Sequence, residues 1–447
     1  MIVSFSIQNI GSIKDKQTLS FEADKSNHLE DYYVIQTNGL RLLKLGLIYG
    51  ANASGKTTIL KALDFLRTLV LNPKREKMET FNFEPFRFDE NTPYKNTLFE
   101  LEFIQSDTRY LYEIELSTKA IVREELYFYN PNKANVFKRT SNLIKQTTEI
   151  KFGNKIKIDR MSLQILEKNT LWNNTVLGGF LKINEYIKEL KDILDWFSEY
   201  LNRLIQPDFN IKDFFEHGVN ISNLDKNTMI SILKKADLNI SNFYIKENEG
   251  YWEFVGKLFN LPKEELSKLK KAPFSIEMEK RIRKEMNTDS VKFPDLDFEH
   301  TVKGKKYLLP FDFESRGTQR YYTFACLLYK LVAKSILLPI DELESSLHPD
   351  LFTHFLLSFL VNSKKSQLIA TTHNREILNN KDIFRNDVIW ITDKDNEEYA
   401  TELYSLADFN TSVIRDTTNI YNAYKSGKLG GTPNLGSYYI NVDNENE

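Results

Sequence analysis

The segment Gly50-Ala51-Asn52-Ala53-Ser54-Gly55-Lys56-Thr57 has the G-x-x-x-x-G-K-[ST] spacing of a phosphate-binding loop. Its two glycines let the backbone turn so that successive N–H groups converge on phosphate oxygens. Lys56 adds a mobile positive charge and the Thr57 hydroxyl is suited to ligate magnesium, so ATP and Mg2+ are the expected cofactors. Gly50, Asn52, Ser54, Gly55, Lys56, Thr57 and Thr58 are the candidate nucleotide contacts. The apolar run 336–340 ends in Asp341-Glu342. In a parallel sheet that end lies beside the phosphate loop. There Asp341 would hold the metal through its water shell, and Glu342 would orient or deprotonate the attacking water. A further apolar run, 367–370, leads into Thr371-Thr372-His373. A lone histidine at a strand end is often structural. One strand away from two carboxylates, His373 is instead expected to reach the γ-phosphate or the attacking water. A fourth element, Ser315-Arg316-Gly317-Thr318, precedes a helix expected to begin near Arg320. A hydroxyl, close N–H groups and a positive helix end make Ser315 and Gly317 a second candidate anion site. Serine and glycine also serve as plain helix caps.

Each of these loops needs an element to carry it. Residues 42–49 read as a buried strand, and 57–71 place Ile59, Leu60, Leu63, Leu66, Leu69 and Val70 on one helical face before Pro73. Two short strands are expected at 2–7 and 17–22 around a Gly11-Ser12 turn, with an antiparallel meander at 97–105, 110–116 and 125–129. From 160 to 286 helical periodicity dominates, including a long helix over 186–204 and charged stretches at 263–271 and 277–286. This insertion is either an additional packed lobe or an arm for partners or DNA. Strands near 307–313 and 336–340 and a helix over 319–333 resume the core. The predicted fold is α/β, a P-loop NTPase head of ABC type with an antiparallel β subdomain and an inserted helical subdomain. The predicted segments are 1–155, 156–292 and 293–405, followed by a tail 406–447. Residues 388–395 end in Asp393-x-Asp395, which could mimic a metal pair but reads better as a hairpin leading into 399–404.

At 447 residues and 41% hydrophobic content, the chain can bury a large core in two or three domains. Sixty basic against sixty-two acidic residues leave a formal charge of −2, which excludes a global field toward nucleic acid or anionic membrane. Any DNA contact falls to a local patch. A single cysteine, Cys326, excludes an intrachain disulfide and a cysteine zinc site and fits a reducing cytosol. No apolar stretch reaches membrane-spanning length and the first residues alternate like a strand, so a cytoplasmic protein without a membrane partner is expected.

The four motifs, in this order around an inserted segment, resemble the ABC-type ATPase heads of the SMC, Rad50 and RecF group. The resemblance implies a head-to-tail homodimer. ATP on the phosphate loop of one copy is closed over by the signature turn of the other, so Ser315 and Gly317 would act in trans. Glu344-Ser345-Ser346-Leu347 then falls at the D-loop, and His373 at the switch histidine. The run 341–349, with Ser315-Arg316-Gly317-Thr318 and Thr371-Thr372-His373-Asn374, is more closely similar to the overcoming-lysogenization-defect-like branch. The tail 424–433 resembles the ends of stand-alone ATPases from bacterial anti-phage systems of the AbiL, RloA and PARIS type. The resemblance covers 1–130 and 295–435. Thr318 stands where the signature usually has a second glycine, and Gln105 is the nearest candidate for the Q-loop glutamine. Proteins that give the branch its name carry a C-terminal Toprim nuclease. About seventy residues follow His373, too few for that domain, so no nuclease is expected in this chain.

Three functions follow. One is a dimeric ATP-hydrolysing switch that senses infection and controls a separate effector protein, such as a nuclease. Another is a RecF-like repair ATPase that clamps duplex DNA. Its basic stripe would be Lys263, Lys268, Lys270, Lys271, Lys280, Arg281, Arg283 and Lys284, residues that equally suit a solvated helical face. The third is a scaffold that keeps nucleotide as structural glue.

Overall fold

The computed structural model describes residues 1–210, 225–236, 239–246, 249–269, 278, 281, 295–345, 347–380, 382–395, 397–409 and 419–433. The chain forms two compact bodies, one of Met1–Leu204, Leu337–Asp341 and Gln367–Glu447, the other of Ile205–Ile336 and Glu342–Ser366. Among the described residues no helix is long and apolar enough to cross a membrane.

The first body holds the phosphate-loop sheet, in the order Leu337–Ile340, Gln367–Thr371, Leu45–Gly50, Ile389–Lys394, Thr401–Ser405. The first four strands are parallel and the last is antiparallel. Every residue of the first three is buried, which is why their sequences are continuous apolar runs without alternation. The strand expected over 42–49 is broken at Lys44. Leu40–Leu43 pairs antiparallel with Val34–Thr37, and only Leu45–Gly50 runs on to the phosphate loop. At the break, the Lys44 N–H donates to Tyr33 O (2.8 Å) while its carbonyl accepts from the Leu368 N–H (2.8 Å), so the residue belongs to both neighbourhoods. The helix Lys56–Leu71 buries the predicted face and ends at Asn72, ahead of Pro73.

A second, antiparallel sheet runs Thr147–Phe152, Lys133–Asn142, Ile121–Tyr129, Thr108–Leu116, Thr97–Gln105, Ile2–Gln8, Gln17–Ser20. The expected meander is present and two strands longer. The strand expected over 17–22 stops at Ser20, leaving Glu22 an isolated bridge to Leu42. Gln367 ties the two sheets together. Its amide donates to Ile2 O (3.1 Å) and Leu43 O (2.9 Å), and its oxygen accepts from Ile2 N (2.7 Å) and the Tyr200 hydroxyl (3.0 Å). A fully buried amide is thereby satisfied on both ends.

The boundary expected at 156 lies instead at 204. Helices Arg160–Asn169, Val176–Phe180 and Lys188–Asp195 belong to the first body, and the helix expected over 186–204 ends in a wider π turn, Trp196–Tyr200. That turn brings Trp196, Phe197 and Tyr200 inward together, with the Trp196 ring 4.4 Å from Phe103 of the antiparallel sheet. Arg67 Nε donates to Leu201 O (2.7 Å), and Asp64 Oδ1 accepts from Leu204 N (3.0 Å). Periodicity reports a helix but not which surface covers its apolar face. Here the phosphate-loop helix and the β lobe cover it.

The second body is not purely helical. Besides helices that include Lys226–Lys235, Glu249–Phe259, Arg316–Ala333 and Pro349–Asn362, it holds an antiparallel sheet of Asn242–Lys246, Asp295–Val302 and Lys305–Pro310. Tyr322 packs among Phe243, Phe298 and Phe311, at ring distances of 5.7, 5.0 and 6.0 Å. Of the basic stripe, Lys263, Lys268 and Arg281 are exposed. Lys270, Lys271, Lys280, Arg283 and Lys284 lie outside the described residues, as do Ser346 and the tail beyond 433.

Candidate nucleotide site

The phosphate loop leaves the central parallel strand at its carboxyl end, where Asp341 follows Leu337–Ile340 and Thr371 ends Gln367–Thr371. This is the edge at which open α/β sheets take their ligands. Lys56 is buried, and its Nζ folds back to donate to Gly50 O (2.8 Å) and Ala51 O (2.9 Å). Thr57 Oγ1 donates to Asp341 Oδ1 (3.1 Å), and Thr371 Oγ1 donates to the same oxygen at 2.6 Å. Two hydroxyls, one from the first turn of a helix and one from a strand end, thus fix one rotamer of one carboxylate.

A belt of hydroxyls holds the loop from behind. Ser54 Oγ lies 2.6 Å from Thr392 Oγ1, which donates to Tyr49 O (3.1 Å). Thr401 Oγ1 donates to Ser54 O (2.8 Å) and lies 2.8 Å from Ser12 Oγ, itself 3.2 Å from Thr58 Oγ1. The two loop glycines answer to this belt. A Cβ on Gly50 would meet Thr392 Oγ1 at 2.3 Å, and one on Gly55, whose φ is +104°, would meet Thr401 Oγ1 at 2.2 Å. The Ser54 and Thr58 side chains therefore face the belt, while Asn52 sits exposed at the loop tip. His373 is exposed two residues beyond Thr371, after a buried Thr372 whose hydroxyl accepts from Asn374 N (3.0 Å).

Gln105 is on the wrong side for a Q-loop. It precedes the Ser106-Asp107 hairpin turn, and its neighbour Ile104 accepts from the Met1 ammonium, beside Ile2 and its bond to Gln367. Gln367 opens the strand whose far end, Thr371, reaches Asp341. Four residue steps separate the ends, roughly 13 Å at strand rise. Position along the chain does not tell which end of an antiparallel strand faces a site.

Ser315, Gly317 and Glu342 lie in the second body. Ser315 is exposed and caps the helix Arg316–Ala333, its hydroxyl accepting from Thr318 N (3.1 Å). Gly317 has no comparable steric reason to be glycine: a Cβ there would meet only Ser315 Oγ, at 3.8 Å. Glu314, just before the turn, is held by His300 at 2.6 Å. Glu342 has the left-handed φ of +47°, and its carbonyl accepts from Ser345 N (2.8 Å). Arg320 Nε donates to Ser345 O (3.2 Å), fastening the expected D-loop to the signature helix.

The residues fit a magnesium nucleotide. A backbone cradle opens onto a helix start, a lysine lies across it bonded to two loop carbonyls, and a hydroxyl–carboxylate pair supplies hard oxygen donors. Among the described residues no group of three or more His, Cys, Asp or Glu could cage a metal alone. Residues 388–395 instead form the expected hairpin, Ile389–Lys394 pairing with Thr401–Ser405. Thr371, Thr392, Thr401 and Ser12 were not singled out from sequence. Only Thr371, inside the Thr-Thr-His run, stood close to a signal. Thr371→Val keeps the β-branched shape and removes the hydroxyl. The expected result is a rise of about tenfold in the Mg2+ needed for half-maximal turnover, read by magnesium titration, with thermal unfolding little changed.

The chain is similar in structure to several solved SMC heads. A SmcHead bound to the C-winged helix domain of ScpA is 12% identical, with 90% of this chain and 97% of that one covered, at TM-score 0.39. The SMC head domain from Thermotoga maritima is 13% identical, covering 90% and 98%, at 0.34. An Smc head domain with an extended coiled coil, bound to the C-terminal domain of ScpA derived from Pyrococcus furiosus, is 13% identical, covering 90% and 96%, at 0.39. All three likenesses are distant. No functionally curated protein matches the chain in sequence. The profile of one family does match, over residues 47–379, from the phosphate-loop strand past His373 and hence over most of the chain. With its phosphate loop and acidic strand end in place, the chain belongs to that family, described as "AAA domain, putative AbiEii toxin, Type IV TA system".

Proposed function

We propose that this chain is a magnesium-dependent ATPase that works as a cytoplasmic dimeric switch. In this reading it is the stand-alone regulatory ATPase of an anti-phage system of the overcoming-lysogenization-defect-like, AbiL, RloA and PARIS kind, controlling a separate effector. The observation that carries the ATPase part is the Thr57–Asp341–Thr371 linkage beside the folded-back Lys56. Gly50, Asn52, Ser54, Gly55, Lys56, Thr57 and Thr58 surround the phosphates, Ser54 and Thr58 through their backbone N–H groups, and Thr57 and Asp341 hold the magnesium. The ion, when bound, neutralises phosphate charge. Glu342, next along the chain, orients or deprotonates the water, and His373 stands by the γ-phosphate.

Ser315 and Gly317 serve the site of a second copy. What supports this is an exposed cap serine next to a glycine that its own chain does not require sterically, as expected where another molecule approaches the backbone closely. The defence role is supported by the family description, which names a toxin of a toxin–antitoxin system. Sedimentation of wild-type chain with Mg2+ and a non-hydrolysable ATP analogue is expected to show a shift from one copy to two. A mass unchanged at saturating nucleotide would exclude the switch.

A further inference from the structure

The described tail ends against the phosphate loop. Asn419 caps the short helix Ile420–Lys425 and donates through Nδ2 to Asn379 Oδ1 (2.9 Å), in the segment after His373. From that helix Tyr424 points inward, 4% exposed, with its ring edge-on to Tyr49 at 5.8 Å and the Arg375 guanidinium 5.8 Å from its centroid. Its phenol donates to Gly431 O (2.9 Å) and lies by the backbone of Gly50, the first glycine of the loop, which holds its pKa down slightly against burial. The turn after the helix is built to come this close. Gly430 and Gly431 have φ of +68° and +64°. A Cβ on Gly430 would meet Tyr404 Oη at 2.2 Å, and one on Gly431 would lie 2.8 Å from Ile391 Cγ2 and 3.3 Å from Gly50 Cα. Tyr404 Oη in turn donates to Leu429 O (2.8 Å). Burial pushes both phenols up, Tyr424 to about 12, so both remain protonated donors at neutral pH.

We propose that residues 419–433 form an intramolecular wall of the nucleotide site, with Tyr424 as a positioning residue that joins Gly50 to the segment following His373. The tail touches the start of the phosphate loop and the stretch behind the expected switch histidine, and these are the two places where a bound γ-phosphate would be felt. Tail docking and nucleotide binding then reinforce each other, and by linkage each strengthens the other equally. A partner that captured the tail would loosen the nucleotide. The inference rests on the reading of the loop as an ATP site.

The test uses the full chain, a fluorescent ATP analogue and hydrogen exchange. Tyr424→Phe keeps the ring and removes the bridging hydroxyl, and the dissociation constant is expected to rise roughly fivefold, with thermal unfolding near wild type. Gly431→Ala, which forces a Cβ toward Gly50 at positive φ, is expected to weaken binding further. In the wild type, nucleotide is expected to slow amide exchange across 420–433 about as much as it slows the loop, and in Lys56→Ala it should not. Wild-type affinity in Tyr424→Phe, together with tail exchange indifferent to nucleotide, would overturn the wall while leaving the ATP site standing. A wild-type chain that bound no nucleotide would overturn both.

Discussion

Lys56→Ala is expected to weaken ATP binding by about a hundredfold and to abolish turnover at millimolar nucleotide. The buried ammonium makes two short bonds, to the carbonyls of Gly50 and Ala51. Phosphate oxygens are better acceptors for it than carbonyls, so its bonds to a bound nucleotide are stronger than the two it makes to the loop carbonyls. Charge-assisted bonds contribute about 1.5–3 kcal/mol each, and losing even one or two of that kind corresponds to roughly two powers of ten in the dissociation constant. The variant also leaves two carbonyls facing the phosphates with no cation between them. Arginine does not substitute, because its planar fork is larger than a point charge and the loop is closed behind by Thr392 and Thr401. Isothermal titration gives the affinity, and a thermal scan separates it from folding.

Glu342→Gln is expected to lower turnover by about a thousandfold while leaving ATP affinity within a few-fold of wild type. The substitution is isosteric and keeps a hydrogen-bond acceptor, but it removes the base. Its consequence is accumulation of a nucleotide-bound dimer, read by light scattering with Mg2+ and ATP. A second substitution isolates the backbone from the side chain. Glu342 holds φ at +47°, a conformation that costs a non-glycine residue about 1 kcal/mol. Glu342→Gly is therefore expected to be as inactive as the glutamine variant yet no less stable than wild type. Strain kept at this residue would be strain kept for function.

Much of the first body was legible because its signals are local. The loop spacing, the apolar runs ending at Asp341 and Thr371, and the face of Lys56–Leu71 each follow from short-range pattern, and the sheet order then brings them to one edge. What was not legible depends on contacts distant in sequence. Thr392 and Thr401 look like ordinary strand threonines until pairing sets them behind Ser54, more than three hundred residues away in the chain. Residues 160–204 read as part of an insertion because amphipathic helices look alike whichever surface covers them, and contacts such as Trp196 against Phe103 and Arg67 with Leu201 O assign them to the first body. Gln105 failed for a related reason: a hairpin has two ends, and composition does not say which is near the nucleotide. The tail, legible from sequence only by its resemblance, gives no sign of its docking place, since Tyr424 and Gly431 find Gly50 only through the folded sheet.

Whether one chain's phosphate loop is completed by another chain's signature turn is decided by mixing two inactive variants. Lys56→Ala lacks a working loop but keeps Ser315 and Gly317. Gly317→Arg keeps the loop but blocks the signature. Neither is expected to hydrolyse ATP alone. In a mixed dimer the intact loop of one faces the intact signature of the other, so an equimolar mixture is expected to recover roughly a quarter of wild-type activity, from half of the dimers and one of their two sites. If the mixture stays as inactive as its components while both variants fold and the Gly317→Arg chain still binds ATP, the site is not shared between copies and the dimeric switch is wrong.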